Sequence, residues 1–414
     1  MIRPGAVILE AIHDNWLVLL IPPIAAIVGW FTNVLAVEMM FHPLEFVGFR
    51  PLRLGWQGIV PANAVPLAKV STEIITTKLI NLKMVFEDFD ASGFASGNLD
   101  AALDQMTDQV IAETAAKYAP EMWAGMPDQA KQQVRAMVRS EVEQVAVKIL
   151  ADVGDNIDDI IPLKDIVIDT AKKNKKLIGE MFQTVGAQEF KFIKRSGLYF
   201  GFLFGVAQFF AWIYYPQWWV LPFFGFLVGY ATNWLALKLI FEPAEPKKIG
   251  PFTIQGLFHK RQQEVSGEFA TMVSRDILNT DNMVAKMISD EQGEILFGIV
   301  EKHMNEMLER YKSNPFTQSL IPADEWDTIR AEIATRSREE LAKPGGMLYV
   351  FVERAIDVYG ELFDRMTELD PESFEGTLRP AFQRDEWKLI IAGAVLGLGA
   401  GVAQVLFMFK DQLA

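Results

Sequence analysis

IPPIAAIVGWFTNVLAVEMMFHP, residues Ile21–Pro43, decides the fold, because it returns as LPFFGFLVGYATNWLALKLIFEP, residues Leu221–Pro243. Gly29, Thr32, Asn33, Leu35, Ala36, Phe41 and Pro43 recur as Gly229, Thr232, Asn233, Leu235, Ala236, Phe241 and Pro243. A run this apolar is long enough to cross the ~30 Å of hydrocarbon in a bilayer as an α-helix. One stretch therefore predicts both a membrane span and a repeated unit.

The repeat extends outward in order. Gln57-Gly58-Ile59 aligns with Gln255-Gly256-Leu257, and Asn81 with Asn279. Pro127 and Val134-Arg135-Ala136 align with Pro322 and Ile329-Arg330-Ala331. The GVAQ of Gly205–Gln208 returns at Gly401–Gln404. Ordered matches with a slowly drifting offset are the mark of a duplication. Each unit is an entry span, a long helical loop and an exit span. Both units then enter from the same side, as parallel repeats related by a pseudo-two-fold axis along the membrane normal.

Four charge-free apolar stretches carry the spans: Trp16–Val37, Leu198–Tyr215, Trp218–Leu237 and Leu389–Phe409. The expected class is an all-α integral membrane protein with two helical cytoplasmic domains. The expected order is a tail at 1–15, spans at 16–41, 197–215, 218–241 and 388–409, and domains at 42–196 and 242–387. Pro22-Pro23 should kink the first span or make it start late. Tyr214, Tyr215, Trp218 and Trp219 form an interfacial belt around a chargeless Pro216-Gln217 turn, so the middle spans make a tight hairpin.

Lys and Arg set the orientation. Arg50, Arg53, Lys191, Lys194, Arg195, Lys247, Lys248, Lys260, Arg261, Arg379 and Arg384 lie beyond one end of the spans. Only Arg3 and Lys410 lie beyond the other. This bias places both large loops in the cytoplasm and both termini outside. No removable signal peptide is read at the N-terminus.

Composition narrows the chemistry. Half of the 414 residues are apolar, 22% are charged, and the net charge is −14. The mean hydropathy is nevertheless +0.16, so the apolar excess sits in a few segments. With no Cys, the chain has no disulfide framework, thiol catalysis or cysteine metal site. An acidic balance argues against nucleic acid as a partner. His13, His42, His259 and His303 share no metal-ligand spacing, and His303 with Glu306 reads as a surface pair. Asp155, Asp158 and Asp159 lack the calcium-loop pattern and read as a solvated helix start. No metal, cofactor or catalytic set is expected, and the chain reads as non-enzymatic.

The loops have helical period. Val134, Val138, Val142, Val145 and Ile149 share one face, as do Leu99, Leu103, Met106 and Val110 behind an Asn98 N-cap. Leu67, Val70, Ile74 and Leu82 predict a helix after the first span, matched by Phe269, Met272, Val273 and Ile277. Strand alternation is nearly absent, and Pro/Gly stretches such as Gly48 to Gly55 read as punctuation.

Within the spans, Gly393, Gly397 and Gly401 recur every four residues, as do Gly197, Gly201 and Gly205. Gly225 and Gly229, with Ala25 and Gly29, repeat the theme on the entry spans. Such spacing lets backbones approach closely, whether within one chain or between chains. The glycines from Gly397 to Gly401 superficially resemble a dinucleotide loop, but no strand precedes them. Thr32, Asn33, Thr232, Asn233, Gln208 and Gln404 are polar and intramembrane. They read either as clamps between helices or as a site for a polar solute or lipid headgroup. Glu38 and Lys238, equivalent in the repeat, are either paired with each other or solvated.

The segments GWFTNVLAVEMMFHP and GYATNWLALKLIFEP resemble the entry motif of the bacterial inner-membrane family catalogued as domain of unknown function 445. FKFIKRSGLYFGFLFGVAQ and RPAFQRDEWKLIIAGAVLGLGAGVAQ resemble its exit motif. The resemblance spans essentially the whole chain and implies an inner-membrane location, with no activity. Family members follow the entry motif with a Gly-hydrophobic-Pro-basic stretch. Here Gly58-Ile59-Val60-Pro61 runs into Ala62-Asn63, while the second copy keeps the basic pair Lys260-Arg261. Headgroup contact is therefore expected of Lys260 and Arg261. The expected function is a self-associating scaffold, a homo-oligomer among membrane lipids that presents long cytoplasmic helices. The alternative is a conduit for lipid or small solute.

Overall fold

A computed structural model of the chain describes residues 13, 16–49, 54–66, 69, 73, 75–87, 89–379 and 386–409. Among these the chain is almost entirely helical, with four helices long and apolar enough to cross a membrane: Trp16–Phe41, Ala187–Tyr214, Val220–Phe241 and Glu386–Met408. They are called here the first to fourth spans. The helix expected through Leu67, Val70 and Ile74 lies largely outside the described residues, as do Arg3, Arg50, Arg53, Arg384 and Lys410.

The first span opens with a 3₁₀ turn, Trp16–Leu20, and becomes an α-helix at Ile21–Phe41. Pro22 and Pro23 fall in the first α-helical turn, where a missing N–H breaks no helical hydrogen bond. The double proline therefore starts the α-helix and does not kink it. The second span begins at Ala187, well before the expected 197, so Lys191, Lys194 and Arg195 lie on its charged first turns. At the far ends of the entry spans, His42 and Glu242 turn extended ahead of Pro43 and Pro243. A residue before proline is pushed out of the helical region, which ends both helices at the same point.

Each entry span is followed by a short antiparallel hairpin. Strand β1 (Val47–Phe49) pairs with β2 (Leu54–Trp56), and β3 (Lys247–Ile249) with β4 (Phe252–Ile254). These are the β elements among the described residues, and Gly48 to Gly55 is thus a hairpin where the sequence suggested punctuation. Gly48 and Gly55 face each other with φ of 149° and 158°, which a side chain would strain. A Cβ at Gly55 would also meet the carbonyl oxygen of Val47.

The chain divides into two compact units. The first contains 1–74, 168–272 and 362–414, hence all four spans and both hairpins. The second joins 75–167 with 273–361, so the stretches 42–196 and 242–387 each contribute to both units. In the first unit the spans form two tight pairs, first with second and third with fourth. Val18, Ile21, Trp212, Ile213, Val220, Leu221, Val405 and Phe409 close one end of the bundle as an apolar cluster.

The second unit is built on the helices Asp100–Tyr118, Asp128–Asp155, Asp290–Lys312 and Trp326–Ala342. Leu99 and Leu103 are buried, whereas Val110 is exposed. On Asp128–Asp155, Val145 is buried and the covered face continues through Leu150 and Val153. Asn98 does not cap Asp100–Tyr118 at its N-terminus. It closes the preceding helix Ala91–Gly97, and Leu99 takes the N-cap position with no side-chain bond. Phe86, Phe89, Phe94 and Phe351 gather with ring centroids 4.9 to 6.2 Å apart.

Candidate functional site

The intramembrane asparagines and glutamines bond to neighbouring helices, while the two threonines bond back onto their own. Asn33 donates from Nδ2 to the carbonyl of Ile193 on the second span, at 2.7 Å. Asn233 donates in the same way to the carbonyl of Leu389 on the fourth span, at 2.9 Å. Thr32 donates to the Gly29 carbonyl at 3.0 Å and Thr232 to the Gly229 carbonyl at 3.4 Å. Gln208 donates to Oε1 of Gln404 at 3.4 Å, joining the two exit spans. All six are buried. The Oδ1 atoms of Asn33 and Asn233 have no hydrogen-bond partner.

The small residues set the distance at which these bonds form. A Cβ at Gly29 would strike the carbonyl oxygen of Gly197, and one at Gly197 would strike that of Gly29. At Gly201 it would meet the Ala25 carbonyl at 2.6 Å, and at Gly205 the Ala25 Cβ at 2.7 Å. Across the other pair, Gly225 faces Gly397, Gly229 faces Gly393, and Gly401 lies against Leu221 and Pro222. The glycine stripes are therefore spent within the chain, each exit span on its own entry span. Gly197 and Gly393 also sit under the asparagine amides, so the backbone approach and the hydrogen bond depend on the same residues.

A second polar cluster lies at the base of the bundle, at the end the hairpins occupy. Arg261 is buried and donates from Nη1 to Glu189 at 2.6 Å, and from Nε and Nη2 to Glu264 at 2.9 and 2.8 Å. Burial works against the guanidinium charge, but the bonds to Glu264 and Glu189 outweigh it and hold the proton more firmly than usual. The same guanidinium holds the Glu264 carboxyl below its ordinary range. Glu268 stands at the edge of this cluster, and burial pushes its carboxyl up. Gln188 donates to Glu264 at 2.7 Å.

Beside it, Nε2 of His259 lies 3.1 Å from the Phe241 carbonyl and 3.0 Å from Oε2 of Glu375. Both neighbours are acceptors, so this nitrogen carries a proton. Arg379 pairs with Glu375 and stands over the Phe241 ring, 4.9 Å from its centroid. Of the two residues expected to reach headgroups, Lys260 is exposed and Arg261 is turned inward. Glu38 pairs with Lys194 at 3.1 Å, and Lys238 with Glu242 at 3.4 Å, so these two positions, aligned in the sequence, choose different partners.

Sequence reading missed Glu189, His259 and Glu375. The one available signal was a difference between the two similar stretches: Asn63 and Pro61 align with Arg261 and His259. In the second unit, His303 is buried and not at the surface. Its Nε2 lies 2.9 Å from Asp152, which also accepts from Lys302 at 2.7 Å. Asp155, Asp158 and Asp159 are exposed at a helix junction. Among the described residues, no group of three or more His, Asp or Glu is placed to hold a metal ion.

Comparison with known proteins agrees with a membrane protein. Over 68 residues the chain is 38% identical to a UPF0754 membrane protein of Picosynechococcus, 16% of this chain and 17% of that one. It is 29% identical over 136 residues to a UPF0754 membrane protein of Exiguobacterium sibiricum, covering 32% of this chain and 31% of the relative. A third, from Shouchella clausii, is 27% identical over 163 residues, covering 37% of this chain and 42% of the relative. The chain thus matches less than half the length of each of these curated relatives. They place it near an uncharacterised membrane family under a different designation from domain of unknown function 445. No family model matches the chain. No solved structure matches it.

Proposed function

We propose that this chain is a non-catalytic membrane protein that self-associates and presents its long helices as a cytoplasmic scaffold. One observation carries the reading. The amide donors that a solute path would use are engaged from helix to helix, Nδ2 of Asn33 and Asn233 on backbone carbonyls and Nε2 of Gln208 on Gln404. Matching bonds at matching positions support a tandem duplication with both units entering from the same side. The exposed Lys191, Arg195, Lys247, Lys248 and Lys260 gather at the hairpin end of the spans, which supports a cytoplasmic assignment for that end of an inner-membrane protein. The glycine stripes are occupied inside the chain, so self-association falls to the outer faces, where Phe202, Phe223, Trp234 and Phe407 are exposed.

The lipid-conduit reading rests on an apolar recess bordered by Met40, Phe182, Phe190, Leu237, Phe241 and Phe258. Its cavity is about 40 Å³, well below the ~300–1,000 Å³ of pockets that enclose drug-sized ligands. Native mass spectrometry of the detergent-purified chain separates the two. A closed oligomer without retained lipid is the expected result. A monomer carrying stoichiometric lipid overturns the scaffold reading in favour of the conduit.

A further inference from the structure

The β1–β2 hairpin exposes its apolar residues next to the end of a membrane span. Val47 and Phe49 lie two apart on one strand, hence on one face, and are 64% and 60% exposed. That lies within the range of outward-facing span residues, from Phe202 at 50% to Phe407 at 86%. Large apolar side chains left open in this way mark a contact surface.

The hairpin's position says what the contact is. Trp56, the register partner of Val47, donates from Nε1 to the carbonyl of Met39 at 3.1 Å. Met39 lies in the last turn of the first span. Gln57 donates to the Leu44 carbonyl at 2.8 Å, and the Gly58 N–H to the Pro43 carbonyl at 2.9 Å. The base of the hairpin is thereby fixed to the span end, and three-residue strands at ~3.3 Å per residue reach only about 10 Å from it. The headgroup layer beyond the hydrocarbon is roughly 5–8 Å deep on each side, so Val47, at the hairpin base, falls within that layer and Phe49, at the far end of the strand, near its outer limit.

The second hairpin shares two of these bonds, Gln255 to the Ala244 carbonyl at 3.0 Å and the Gly256 N–H to the Pro243 carbonyl at 2.9 Å, while Ile254 stands at the register position of Trp56 and brings no indole bond. It exposes Lys247 and Lys248, whose ammonium groups suit phosphate oxygens. Its Ile254 is exposed as well.

We propose that the β1–β2 hairpin is a wedge in the membrane interface, its Val47–Phe49 face lying among phospholipid headgroups and upper acyl chains. The occupant of the apolar face is the bilayer that surrounds the spans, because the hairpin that carries it is tied to the last turn of the first span. The Lys-bearing β3–β4 hairpin lies against the phosphates of the same leaflet.

The absence of Cys makes the test clean. The full chain carrying Phe49→Cys is spin-labelled and reconstituted into nanodiscs of phosphatidylethanolamine and phosphatidylglycerol. Label collisions with oxygen and with a water-soluble nickel chelate are then compared. Gln132→Cys, exposed on Asp128–Asp155, reports water, and Phe202→Cys reports lipid. The label at 49 is expected to favour oxygen over the chelate, at a depth of roughly 5–10 Å, as interfacial segments do. Val47→Cys repeats the measurement on the same face should Phe49→Cys fail to fold. Chelate access equal to that at Gln132 overturns the proposal. So does protection from both reagents, which means that protein covers the face.

Discussion

At the residue scale, Asn33 shows why a polar side chain persists in lipid. An amide left open in hydrocarbon is costly, but one that reaches a neighbouring carbonyl becomes a tie between helices. Asn33→Ala should lower bundle stability by about 1 kcal/mol, and Asn233→Ala by a similar amount. Thermal unfolding in detergent checks both, and an unchanged midpoint in each variant sinks the clamp. Gly197→Val should cost more, about 1–3 kcal/mol of overpacking, because the added carbons meet the backbone of Gly29. The loss should be accompanied by separation of the first and second spans, read by cross-linking. The glycine spacing was legible in the sequence, since only close packing rewards small residues every four positions. Which helix fills the groove was not, because a stripe faces a partner in another chain equally well.

At the element scale, the Arg261 cluster is the most exacting part of the bundle. Arg261→Met leaves Glu189 buried and unpaired, a loss of about 3–5 kcal/mol in comparable buried pairs. Arg261→Met with Glu189→Leu should recover most of it, because no charge then remains unanswered. If the double variant is as unstable as the single, the pair does not act as a unit. In the second unit, the Lys302 ammonium and the His303 ring hold the Asp152 carboxyl below its ordinary value of 3.8. A lowered carboxyl contributes stability above that value and loses it as pH falls through the folded one. Asp152→Asn should therefore destabilise at neutral pH, with the gap to the parent closing below pH 3.8. A gap that persists unchanged at lower pH excludes ionisation as its source. Arg261 and His303 stood out in the sequence, but their partners did not. His259, Glu375 and Asp152 meet partners more than a hundred residues away, and three-residue strands are too short to display a period of two. The spans were plain because an uninterrupted apolar run has few structural meanings.

At the scale of the whole molecule, two span pairs of like construction stand side by side, and the contacts that differ are those at their base. Asn33 and Asn233 make the same kind of bond, while Arg261 aligns in the sequence with Asn63, which bonds within its own turn. Cutting the chain in the Pro216-Gln217 turn and expressing the two parts together should reassemble the bundle, because each pair keeps its own glycines and asparagine. Failure of either part to keep its own two spans paired, read by cross-linking, overturns that independence. The Gln208–Gln404 bond carries a different consequence. It joins two identical side chains, and a group that meets its own likeness must be both halves of the lock. An amide satisfies this, since one can give while the other receives, and the roles can be exchanged without moving a backbone atom. A carboxylate or an ammonium at both places would repel its twin. A mismatched pair would assign each half a fixed part, so glutamine leaves the centre of the bundle indifferent to which half leads.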